Sequence, residues 1–190
     1  MTLRHATAVT AALATVLVAC TACGHNTDSP APPPTPSHRP SLDLSHAEGS
    51  PVPYDEAVAT FKAVTENSYQ LHKADKYDPQ SPAPTSLTAY AKGQALDAHL
   101  KSLKKVSQDH VTWHSGTYKI LSIKQVPTPK DHPKGITLET CEDWRGIKNT
   151  LSDGTLDQGI LVIHHSTYQY SDDRSVKQVF WDGKMVESCH

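Results

Sequence analysis

Four cysteines and twelve histidines are the residues of this 190-residue chain whose types and spacing invite chemistry. The cysteines fall into two pairs, Cys20 and Cys23 at the end of an apolar run, Cys141 and Cys189 far downstream. Leu17-Val18-Ala19-Cys20 has the form of a lipobox, where a bacterial signal peptide is cut and the new N-terminal cysteine is acylated. Cys20 meets every position of that pattern, whereas Cys20-Thr21-Ala22-Cys23 lacks the aliphatic residue at its start. Cys20 is therefore the expected lipidation site and Cys23 the alternative, since cutting at Cys23 would leave no odd thiol. A diacylglyceryl group, with chains of the palmitate kind, would anchor the chain stably, as a single acyl chain would not. In an exported domain the remaining pair, Cys141 and Cys189, most simply forms a disulfide. No downstream C-x-x-C suggests redox or metal chemistry instead.

The candidates for acid–base chemistry are His164 on a strand, Asp97 and His99 on a helix, and Tyr168. A His or Asp in a hydrophobic pocket could act as a general base. None of the four sits in a recognisable catalytic motif. Metal binding has little support: His164 and His165 are adjacent on a strand and point to opposite faces, and His110 with His114 makes one pair without a carboxylate at ligand spacing. No metal site and no cofactor is expected. No Gly-rich phosphate loop, G-x-S-x-G or H-E-x-x-H occurs. The net charge is −2 with both signs interspersed and no basic stripe, which argues against nucleic acid as a partner.

The elements that must position these residues start late in the chain. Residues 1–19 read as a signal peptide: Arg4, then an uncharged run from Ala6 to Ala19 that is short for a bilayer span. Residues 20–53 read as a disordered tether, with eight prolines between Gly24 and Pro53. Fully extended it would reach roughly 90 Å, as a flexible coil about 30 Å. Residues 54–190 read as one α+β domain. A first helix starts at Pro53-Tyr54-Asp55 and ends near Lys76, with an apolar stripe through Ala57, Phe61 and Val64. A proline loop follows, then a second helix from Ser86 to about Ser107 in which Gly93 is a weak point. Strands are expected over Val111–Val126 with a bulge at Gly116, Ile136–Trp144, Gly159–Tyr170 and Ser175–Trp181. Asp182-Gly183 would then turn into a short last strand, Lys184–Cys189. The strand near 160–170 begins apolar on both faces and is expected to be central.

Tyr90-Ala91-Lys92-Gly93-Gln94-Ala95-Leu96 is similar to a Y-A-x-G-x-A-L pattern in small secreted proteins and lipoproteins of actinobacteria. The resemblance extends to a strand cysteine followed two positions later by an acid, as in Cys141-Glu142-Asp143, and to a cysteine near the C-terminus, here Cys189. It spans about residues 54–189. It departs from the pattern at Val176, where a bulkier residue is usual. These proteins resemble the NTF2-like (SnoaL-like) superfamily, which implies a cone of N-terminal helices on a curved antiparallel sheet of four to five strands.

The resulting expectation is a lipid-anchored protein on the extracytoplasmic face of the cell membrane. Its domain would be a non-catalytic module that binds a small ligand or another envelope protein. The alternative is an NTF2-like pocket enzyme of the isomerase or hydratase kind, using a His or Asp as general base.

Overall fold

The computed structural model describes residues 51–74 and 77–189. The expected signal peptide, Cys20, Cys23 and the expected tether up to residue 50 lie outside the described residues.

Among the described residues three helices and seven strands follow one another as α1 (Tyr54–Ala74), α2 (Thr85–Thr88), α3 (Gly93–Gln108), β1 (Thr112–Ser115), β2 (Lys119–Val126), β3 (Ile136–Asp143), β4 (Lys148–Thr150), β5 (Leu156–Gln158), β6 (Leu161–Tyr170) and β7 (Val176–Met185). The domain is α+β with two antiparallel sheets. The main sheet runs β2-β3-β6-β7 and the small one β1-β4-β5. β6 is central, as its apolar start on both faces leads one to expect, paired to β3 on one side and β7 on the other.

The 3.6-residue stripe of α1 buries Ala57, Phe61 and Val64. Phe61 and Ala57 pack with Ile136, Leu138, Tyr168 and Tyr170 of the sheet. Val64 packs instead with Leu87, Ala91 and Leu103, joining α1 to α2 and α3. Cys141 and Cys189 are bonded, with Cα atoms 6.0 Å apart, which ties the C-terminal segment to β3.

Three sequence expectations change. The expected helix from Ser86 to Ser107 is interrupted after a single turn. Residues 90–92 pair with β7, where Gln178 N–H donates to Tyr90 C=O (2.8 Å) and Lys92 N–H to Gln178 C=O (3.0 Å). Gly93, at φ +55°, lets the chain leave that bridge and enter α3.

The expected strand Val111–Val126 is two strands in different sheets. Gly116 sits between them at φ +99°, and a Cβ there would lie 1.9 Å from Gly146 O. The chain passes too close to residues 146–147 for any side chain.

Asp182-Gly183 makes no turn. β7 continues through it to Met185, because His165 and His164 pair across from Asp182 and Gly183. Backbone pairing to a long central strand outweighs the local turn propensity.

Candidate functional site

Strand alternation sorts the chemistry of β3 and β6 onto two faces. The face turned from the helices carries Cys141, Glu139 and His165, with His165 Nε2 and Lys124 Nζ bonded to the Glu139 carboxylate at 2.9 and 2.8 Å. The face under the helices carries Thr140, Glu142, Val162, His164 and Ser166. Beneath α1 and α3 this face does not close on itself. It leaves a cavity of about 290 Å³, walled on its far side by residues around β1, β4 and the segment 144–147.

All three tryptophans of the chain, Trp113, Trp144 and Trp181, line this cavity. Each has a neighbour on its ring. Lys73 Nζ lies 4.5 Å from the Trp113 ring centre. Tyr118 stacks on Trp144 at 4.6 Å and His99 on Trp181 at 4.4 Å, both with ring planes 15° apart. Val106, Val111, Ile147, Ile160 and Val162 complete an apolar wall.

The polar end is built around Glu142, which is 1% exposed. Thr140 Oγ1 and His164 Nδ1 both donate to its Oε1 at 2.8 Å, and Trp144 Nε1 donates to its Oε2 at 3.1 Å. Three donors on one carboxylate are what a buried acid requires. His164 stands opposite Thr140 in the β3–β6 ladder and opposite Gly183 in the β6–β7 ladder. Its ring lies over Gly183, where a Cβ would come within 2.2 Å of Cδ2.

A second polar chain lies beside the first. His99 Nε2 donates to Gln178 Oε1 at 2.8 Å, and Gln178 Nε2 donates to Ser166 Oγ at 3.0 Å and Tyr168 Oη at 3.4 Å. Burial lowers the pKa of His99; the nearby His164 lowers it further, while the Gln178 bond and the Glu142 charge oppose the shift. His72, on the last turn of α1, is lowered to about 4, mainly by burial and then by His99. Burial, followed by the bond to Glu66, raises the pKa of the Tyr118 phenol, whose ring stacks on Trp144.

Gln178 and Trp181 reach the same cavity although they are three residues apart. A bulge in β7 pairs Tyr168 with Gln178 but Ser166 with Trp181, so the extra residue restores both side chains to the helix face. The Tyr90–Leu96 segment grips this part of β7. Tyr90 and Lys92 bond the Gln178 backbone, and Gln94 clamps Trp181, accepting from its N–H (2.8 Å) and donating to its C=O (2.9 Å). Ala91 and Ala95 are buried, small enough to permit this approach. The short motif thus positions two cavity residues.

Of the four residues singled out from sequence, His164 and His99 line the cavity. Asp97 is exposed on α3 and is not among the lining residues. Tyr168 is fully buried in the core behind Gln178. Glu142 was missed as a functional residue, as were the tryptophans and Gln178. One signal was available for Glu142: an acid near the end of a strand with otherwise buried, mostly apolar or Thr positions. His114 bonds to Thr150 Oγ1 across β1 and β4, away from His110. Among the described residues no three His, Cys, Asp or Glu side chains are grouped as metal ligands. No described helix is long and apolar enough to cross a membrane.

No protein-family model matches the chain, and no curated protein matches it in sequence. Among solved structures it is similar to the intermembrane space region of the chloroplast protein ARC6, at 13% identity and a TM-score of 0.39, over 72% of this chain and 100% of the other. It is also similar to a de novo designed β-sheet protein, at 12% identity and a TM-score of 0.35, over 72% of this chain and 95% of the other.

Proposed function

We propose that the domain binds a small, largely apolar ligand in the cavity under α1 and α3, and that it does so as a lipoprotein anchored through Cys20 on the extracytoplasmic face of the membrane. The cavity carries this reading. Cores pack to high density, and an interior of this size walled by three tryptophans with a hydrogen-bonded polar end is the usual form of a ligand site. The finer fold reading is an NTF2-like cone, supported by helices lying on one face of an antiparallel sheet with a pocket between them. The lipobox and the Pro-rich segment support the anchor and the spacer.

Two experiments test this. Metabolic labelling with palmitate should mark the wild-type protein and Cys23→Ala but not Cys20→Ala; equal labelling of Cys20→Ala would refute the assignment. Melting of the purified protein with a set of small ring compounds should show at least one that raises Tm, and Val106→Trp, which plugs the cavity, should remove the effect. If the plugged variant responds like the wild type, binding is elsewhere.

A second reading, a pocket enzyme of the isomerase or hydratase kind, is favoured by one observation: the Glu142–His164 bond. A buried carboxylate holding an imidazole at the end of a mostly apolar pocket is a common general-base arrangement. Turnover of a bound compound, lost in His164→Phe, would move the assignment to this class.

A further inference from the structure

The polarity of the cavity's inner end restricts what it can hold, and this inference rests on the ligand-binding reading above. A carboxylate only accepts, so His164 donates to Glu142 from Nδ1, and in the neutral form of the ring the lone pair then lies on Nε2. Among the described residues that Nε2 has no hydrogen-bond partner. His99 is oriented in the same sense: its Nε2–H is taken by Gln178 Oε1, and Nδ1 has only Ser68 Oγ at 3.5 Å. The two imidazoles therefore offer acceptors at the polar end, while the buried Trp113 Nε1–H, without a hydrogen-bond partner among the described residues, offers a donor from the wall. Among the described residues no Lys or Arg lines the cavity, Lys73 lying over the Trp113 ring and not among the lining residues. A carboxylate is already buried in the wall, so an anionic ligand would meet a negative charge there without a lining cation. Both Glu142 oxygens are already occupied by donors, which leaves little for a cationic ligand to gain against its own desolvation.

The walls are flat rings, and the volume is about 290 Å³. An apolar cavity of about 150 Å³ holds one benzene ring, so one to two fused rings fit here.

We infer that the cavity selects a neutral, planar ring compound of one or two fused rings bearing a hydroxyl or N–H donor, which points at His164 Nε2 while the ring lies among Trp113, Trp144 and Trp181.

Four ligands with the same ring system test this on the full-length chain carrying Cys20→Ser and Cys23→Ser, by titration calorimetry at pH 7. They are 2-naphthol, 2-methoxynaphthalene, 2-naphthoate and 2-naphthylmethylamine. The expected result is that 2-naphthol binds roughly tenfold tighter than its methyl ether, the value of one hydrogen bond, and tighter than both charged analogues. In His164→Phe the preference for naphthol over the ether should vanish while the ether still binds. If the ether or a charged analogue equals or exceeds naphthol, the cavity binds rings but the donor rule is wrong. If none of the four binds, the ligand-binding reading falls with it. The comparison on the unsubstituted cavity stands by itself should His164→Phe fail to fold.

Discussion

Mild acid should destabilise this domain through His72, and the size of the effect follows from its burial. The ring sits at the cavity edge on α1, and its pKa falls from 6.5 to about 4 through burial and the proximity of His99. A folded-state pKa below the unfolded one means that the unfolded chain binds the extra proton between the two values. Stability is then fully present above pH 6.5 and is lost as pH falls toward 4. At 1.36 kcal/mol per unit, the limiting loss is ~3 kcal/mol, of which ~2 kcal/mol is gone by pH 5. His99 is shifted in the same direction and steepens the trend. Asp143, held down to about 2 by Arg145, loses its stabilising pair only below the ordinary carboxylate range, so it does not confuse the window above pH 5. Urea denaturation of wild type and His72→Phe from pH 7.5 to 5 is the assay. The wild-type midpoint should fall steadily, and the variant should lose much less over the same range. A flat wild-type profile, or an equal slope in the variant, would refute the reasoning.

Other perturbations probe the scaffold of the site. Glu142→Leu leaves the Thr140 hydroxyl, the Trp144 indole N–H and the His164 ring N–H without their acceptor, and should cost about 3–5 kcal/mol in urea unfolding. Gly116→Ala forces a side chain into Gly146 at a positive φ and should lower stability by about 2–4 kcal/mol, read as a drop in Tm. Cys141→Ser with Cys189→Ser removes a cross-link over 48 residues and should cost about 4 kcal/mol by the chain-entropy relation; wild type in reductant should match the double variant. Gly183→Ala should displace the His164 ring and weaken ligand binding by at least about tenfold, with the ring's NMR shifts as an independent readout.

What the sequence determines here is local and periodic. The stripe from Ala57 to Val64 specifies α1, because apolar residues every three to four positions leave a helix only one face to bury. The apolar start of β6 makes it central, and Cys141 and Cys189, the two cysteines downstream of the apolar run, have each other as the simplest partner. His164 and His99 were visible as candidates because a histidine among apolar neighbours needs a partner. The partners were not visible. Glu142 meets His164 only because β3 and β6 pair in one register, and a shift of one residue would put the acid on the Cys141 face. Gln178 and Trp181 share the cavity only through a bulge in β7, which no period of two foretells. The helix break at 89–92 and the course of β7 through Asp182-Gly183 were decided the same way. In each, hydrogen bonds to a distant strand outweighed the preference of a few neighbouring residues. The elements could be read along the chain, whereas the site is made of contacts between elements, and only the packed sheet decides which of those contacts exist.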